Sequence, residues 1–174
     1  MAAQLARLSG LIDMLNHHIG RSAAWLALAM VLVQFTVVVM RYVFGVGSIM
    51  MQEAVVYMHG VLFMMAAADT LLQDEHVRVD IFYARASAKR KAFINLLGCV
   101  FLIMPFCILL FAVSVDYVSM SWSVREGSRE TSGIQGVFLL KSVILIFAVQ
   151  MGLQAVSSII KNALTLRQAE LSHD

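Results

Sequence analysis

The chain has 174 residues, a net charge of +2, 60% hydrophobic and only 14% charged residues, with a mean hydropathy of +0.82. Soluble domains carry about 25% charged residues, and a globule of this size could not bury so much apolar surface, which excludes a soluble enzyme and a disordered chain. The small, scattered charge also excludes a nucleic-acid binder, leaving an integral membrane protein.

From the N-terminus, Leu5, Leu8, Ile12, Leu15 and Ile19 recur at steps of three and four, with Arg7, Asp13, Asn16 and His17 between them. That pattern predicts an amphipathic helix over 4–20, lying flat in the membrane interface or packed against a partner subunit. A spanning helix needs about 20 apolar residues. The first such stretch, Ser22 to Met40, has no charged residue and predicts helix 1 over 22–44. It is too long for a signal peptide and lacks a cleavage site after it, so the mature protein is expected to keep it.

Helix 2 is expected over 49–72, with Glu53 and Asp69 near its ends and His59 between them. The two carboxylates are about 24 Å apart along a helix and so mark opposite membrane faces. Glu53 lies in the first turns, where the helix dipole favours a carboxylate. It reads as an interfacial anchor or as a partner for Arg41 across the outer turn, with an ion or proton relay as the alternative. His59 is expected to bond a neighbouring helix or a backbone carbonyl. Gly60, Ala66, Ala67 and Ala68 permit close helix approach, and Met58, Met64 and Met65 suit packing.

Helix 3 is expected over 88–119, and its stretch Ala92 to Val115 has no formal charge. The only proline, Pro105, is predicted to bend it and free a carbonyl. Cys99 and Cys107 are about 12 Å apart along that helix, beyond disulfide reach, and form no CxxC pair, so they read as structural thiols. Trp122 reads as an interfacial anchor. Helix 4 is expected over 137–161, with Lys141 near its start.

The predicted fold is therefore an all-α integral membrane protein, residues 1–174 forming a single membrane domain. It has four transmembrane helices and an N-terminal amphipathic interfacial helix. Nine of the 13 basic residues fall in the two tails and the loop between helices 2 and 3. That bias predicts both termini and the middle loop in the cytoplasm. No HExxH, phosphate loop, GxSxG or facing histidine pair is present, so no catalytic residue, cofactor or metal site is expected. Nor do broken helices or an inverted repeat suggest a complete carrier.

Three segments carry a family resemblance: Arg41-Tyr42-Val43-Phe44, the stretch Ser48 to Glu53, and His76-Val77-Arg78-Val79-Asp80. In this order, on a four-helix chain, they resemble the small permease subunit of tripartite ATP-independent periplasmic (TRAP) transporters. Ser121 to Ser128, Gly133 and Leu140-Lys141-Ser142 are similar to the mannitol or chloroaromatic-type branch. The resemblance covers about residues 10–162. It departs at helix 2, where Met50, Met51, Gln52 and a single Glu53 stand in place of a tryptophan and paired glutamates.

The resemblance implies a bacterial inner-membrane protein with two protein partners and the lipid bilayer around it. A periplasmic solute-binding protein captures an organic acid, and a large permease subunit carries it inward with sodium. The small subunit braces that machine. Arg41, Glu53, His76, Arg78 and Asp80 are then expected to make structural or partner contacts. His76, Arg78 and Asp80 would order the cytoplasmic loop, against the alternative of a solvated loop with local ion pairs. Arg125, Glu126, Arg129 and Glu130 are expected either to help dock the binding protein or to form a hydrated loop. The rival reading is a self-sufficient homodimeric transporter with Glu53 as its proton-coupling carboxylate.

Overall fold

The computed structural model describes residues 2–75, 83 and 86–171. Four long apolar helices dominate them, each with the length and composition to cross a membrane. They are α1 (Ala2–Tyr42), α2 (Ile49–Leu72), α3 (Ala88–Ser123) and α4 (Val137–Leu171).

The segments expected at 4–20 and 22–44 form one unbroken helix of 41 residues. No proline or capping signal interrupts Gly20-Arg21-Ser22, and Gly20 is used for packing instead of for a turn. A Cβ there would overlap the Cβ of Asp69, so glycine lets α1 and α2 approach closely. The periodic pattern before Gly20 is also arranged differently from its expected polarity. Ser9, Ile12 and Asn16 are buried, whereas Leu8, Leu11, Met14 and Leu15 are exposed. At about 1.5 Å per residue, α1 is about 60 Å long, roughly twice the hydrocarbon thickness.

Ser48 caps α2 by accepting a 3.3 Å hydrogen bond from the Met51 amide. At the other end Asp74 takes a left-handed φ of 61°, and the Glu75 amide bonds the Thr70 carbonyl at 3.1 Å. That closes the helix in the way a C-terminal glycine usually does.

Ser87 caps α3, which extends to Ser123 instead of ending near 119. Pro105 does not break it. A π-helical segment, Cys99–Ile103, precedes the proline, and the Met104 amide reaches back to the Cys99 carbonyl. Widening the turn makes room for a ring that would clash with the preceding turn in a regular α-helix. α4 continues to Leu171, ten residues past the expected 161. Its last turns are more polar than a span requires, and the α-helix persists because Asn162 to Leu171 contains neither proline nor glycine.

α4 is the central element. It packs against α1, α2 and α3, while α1 also packs along α2. Ala68, Cys107 and Met151, from α2, α3 and α4, share one small apolar cluster. Many large apolar side chains face outward: Trp25, Phe35, Phe63, Phe101, Leu102 and Met120 are all well exposed. In water such a surface would drive aggregation; against lipid or another membrane protein it is stable.

Candidate functional site

Ionisable and amide side chains gather at the two ends of the bundle. The first group surrounds the 124–136 segment joining α3 to α4. Glu53, in the second turn of α2, has both carboxylate oxygens engaged by this segment. The Ser128 hydroxyl donates to one oxygen, and the Ile134 amide donates to the other at 2.6 Å. One turn along α2, the Tyr57 hydroxyl donates to the Ile134 carbonyl at 3.5 Å. Gly133 sits where a Cβ would come within 2.6 Å of Glu53 Oε2. The loop therefore closes over Glu53 only because that position has no side chain.

A second carboxylate anchors the same segment from within. Glu126 accepts hydrogen bonds from Lys141 and from the Ser121 hydroxyl at 2.7 Å. The Lys141 ammonium also lies 4.0 Å from the Tyr117 ring centre, a favourable distance for a cation over an aromatic face. The Lys141 hydrogen bond, followed by that of Ser121, holds the Glu126 carboxyl below the usual glutamate range. Trp122 completes the corner. Its indole N–H donates to Ser142 at 2.7 Å, and its ring meets Phe138 edge-on at a centroid distance of 4.8 Å.

The second group ties helix to helix at the end holding both chain termini. Asn16 of α1 donates to Gln154 of α4 at 2.7 Å, and both side chains are wholly buried. Gln154 donates in turn to Asp13 at 3.1 Å. Ser157 donates to the same carboxylate at 2.7 Å, and Lys161 pairs with it. One turn deeper, Gln150 donates to the Met65 carbonyl of α2 at 3.0 Å. One turn along α1 from Asp13, His17 lies 3.1 Å from Asp69 of α2. An open, largely apolar groove of about 460 Å³ runs between α1 and α2 and includes His18, Ser22, Leu26 and Met65.

The site residues expected from sequence are distributed unevenly over this framework. Glu53 is engaged by the loop and does not pair with Arg41, which is exposed. Glu126 turns inward to Lys141, whereas Arg125, Arg129 and Glu130 are exposed on the outside of the loop. His76, Arg78 and Asp80 lie outside the described residues. His59, expected to bond within the bundle, is exposed and has no hydrogen-bond partner among the described residues. The sequence reading missed the loop anchors Ser128 and Ile134 and the whole Asp13–Asn16–Gln154–Ser157 seam. Gln150, Gln154, Ser157 and Lys161, spaced by four, three and four residues, were the available signal.

Among the described residues, no cluster of histidine, cysteine, aspartate or glutamate is suited to a metal ion. The carboxylates of Asp13, Glu53, Asp69 and Glu126 are bound into structural contacts. The profile of one family, "Tripartite ATP-independent periplasmic transporters, DctQ component", matches residues 30–165. The chain belongs to this family. No curated protein and no solved structure matches it. As a DctQ component it is a small, multi-pass membrane subunit of a TRAP transporter and not an enzyme. The matched residues take in the Glu53 and Glu126 contacts, whereas Asp13, Asn16 and His17 precede them.

Proposed function

We propose that this DctQ subunit is a rigid brace for the large permease subunit of a TRAP transporter of the mannitol or chloroaromatic-type branch. The permease carries an organic acid inward with sodium after a periplasmic solute-binding protein delivers it. The observation that supports a bracing role is the engagement of Glu53 and Glu126 in contacts that hold the 124–136 loop to the bundle. A carboxylate fully occupied in this way is suited to fixing shape and poorly suited to shuttling a proton or binding substrate. The same observation counts against a homodimeric transporter that uses Glu53 as its proton carrier.

In this reading the protein lies in the bacterial inner membrane with both termini cytoplasmic, as the basic residues favour. Residues 4–20 reach the cytoplasmic interface as a continuation of the first span, their exposed leucines toward lipid or partner. His76, Arg78 and Asp80 order the cytoplasmic loop. Arg125, Arg129 and Glu130 rim the outer surface that receives the binding protein, and Glu126 holds that rim in shape. Arg41 remains available to the permease.

The test is purification of the tagged full chain from its native host in mild detergent. Recovery with a much larger polytopic protein in fixed proportion is the expected result. Recovery solely as a self-associated chain that moves solute in liposomes would overturn the proposal.

A further inference from the structure

Beyond Thr36, which donates to the Leu32 carbonyl of its own helix, two polar side chains lie exposed within the apolar part of α1 and α2. His59 is on α2 and Gln34 on α1, and neither has a hydrogen-bond partner among the described residues. The short 43–48 turn joins the two helices. Counted back from it, Gln34 is about 12 Å and His59 about 15 Å into the bundle. Both depths fall near the middle of a hydrocarbon layer about 30 Å thick. Lipid tails offer an imidazole or an amide no hydrogen bond, so polar side chains at that depth face protein.

His59 sits between Val56 and Phe63, at intervals of three and four residues, so the three share one face. All three are exposed. α3 provides the contrast. Between 101 and 113 it exposes Phe101, Leu102, Phe106, Leu109 and Val113 and no hydrogen-bonding side chain, which suits contact with lipid; its exposed Asp116, Tyr117 and Ser119 lie toward the 124–136 end.

We propose that the α1–α2 hairpin is the docking element for the large permease subunit, which places a hydrogen-bonding group opposite His59 on the Val56–Phe63 face, while α3 faces lipid. This inference rests on the DctQ reading, which supplies a second polytopic subunit. Close helix packing with a polar contact inside it is how membrane helices associate without a hydrophobic drive.

The test uses the tagged full chain coexpressed with the large subunit, carrying a photo-crosslinking amino acid at position 63 or at position 109. Position 63 should crosslink to the large subunit and position 109 should not. In otherwise unaltered protein, His59→Leu should lower recovery of the large subunit about three- to tenfold, the range of one interhelical hydrogen bond in a membrane. His59→Gln should restore most of it. Crosslinking to the large subunit from 109 but not 63, or from 63 to a second copy of this chain, would overturn the assignment and leave subunit pairing intact. Full recovery with His59→Leu would also overturn it. Failure of the unsubstituted chain to bring down any large subunit would overturn both the assignment and the bracing proposal.

Discussion

The two ends of the bundle use polar side chains in different ways. At the 124–136 end, Glu53 and Glu126 hold a loop onto helices, through contacts near the surface. At the end holding the termini, Asn16, Gln154 and Ser157 hold α1 against α4 and are wholly buried. A buried amide that loses its partner keeps the full cost of its desolvation, whereas an exposed carboxylate finds water instead. The first arrangement shapes a surface; the second sets how the helices cross.

If that distinction is right, changes at the terminal end should cost global stability and changes at the loop end should cost local order. The largest effect is expected from Gly20→Val, because the added atoms would overlap Asp69 at its Cβ, close to the backbone. A loss of about 3 kcal/mol, the upper part of the overpacking range, should appear in thermal unfolding followed in detergent. A stability equal to the parent would mean that α1 and α2 are not held this closely.

Next is Gln154→Leu, which removes the acceptor of Asn16 and one donor to Asp13. A cost of about 1–2 kcal/mol is expected. The matching change at the loop end, Glu53→Gln, should leave global unfolding within about 0.5 kcal/mol of the parent, as a partly exposed contact would. If Glu53→Gln proved the more damaging of the two, the contrast between the ends would fail.

Gly133→Ala sharpens the comparison from the other side. Its methyl group would press on Glu53 Oε2, so the 124–136 loop should become several-fold more sensitive to limited proteolysis at an unchanged unfolding temperature. A parallel fall in that temperature would show the loop to be part of the global fold.

The smallest effect is a pH dependence. The Glu126 carboxyl is held below its ordinary value by Lys141 and Ser121. Its contribution to loop order is therefore complete above the ordinary glutamate range, near pH 4.3. It is lost as the pH falls through the lowered folded value. Fluorescence of Trp122, in a variant with Trp25 replaced by Phe, should change over that acid interval. Glu126→Gln should abolish the change; persistence in that variant would assign it to another group.

Local hydropathy carried much of this protein in legible form. Four apolar stretches imply four membrane-crossing helices, because the cost of placing each residue in hydrocarbon is largely its own and adds along a segment. The motifs around Arg41 and Glu53 likewise pointed to the TRAP small subunit, and the DctQ match agrees. Helix ends were less legible. α1 continues through Gly20 because that glycine meets Asp69, 49 residues away in sequence.

The polar contacts were the least legible. Asn16 and His17 are adjacent in the chain, yet one meets Gln154 on α4 and the other Asp69 on α2. Glu53 was readable as an anchor, but not its partners Ser128 and Ile134, which depend on how the far loop folds back. The sequence by itself determined an all-helical membrane protein with four apolar spans and its family. The tertiary structure decided that α4 lies at the centre, which polar groups are satisfied by one another, and that His59 has no partner among the described residues. Hydrophobicity acts residue by residue, whereas a hydrogen bond needs two groups brought within about 3 Å, and only the packing of the helices determines which two.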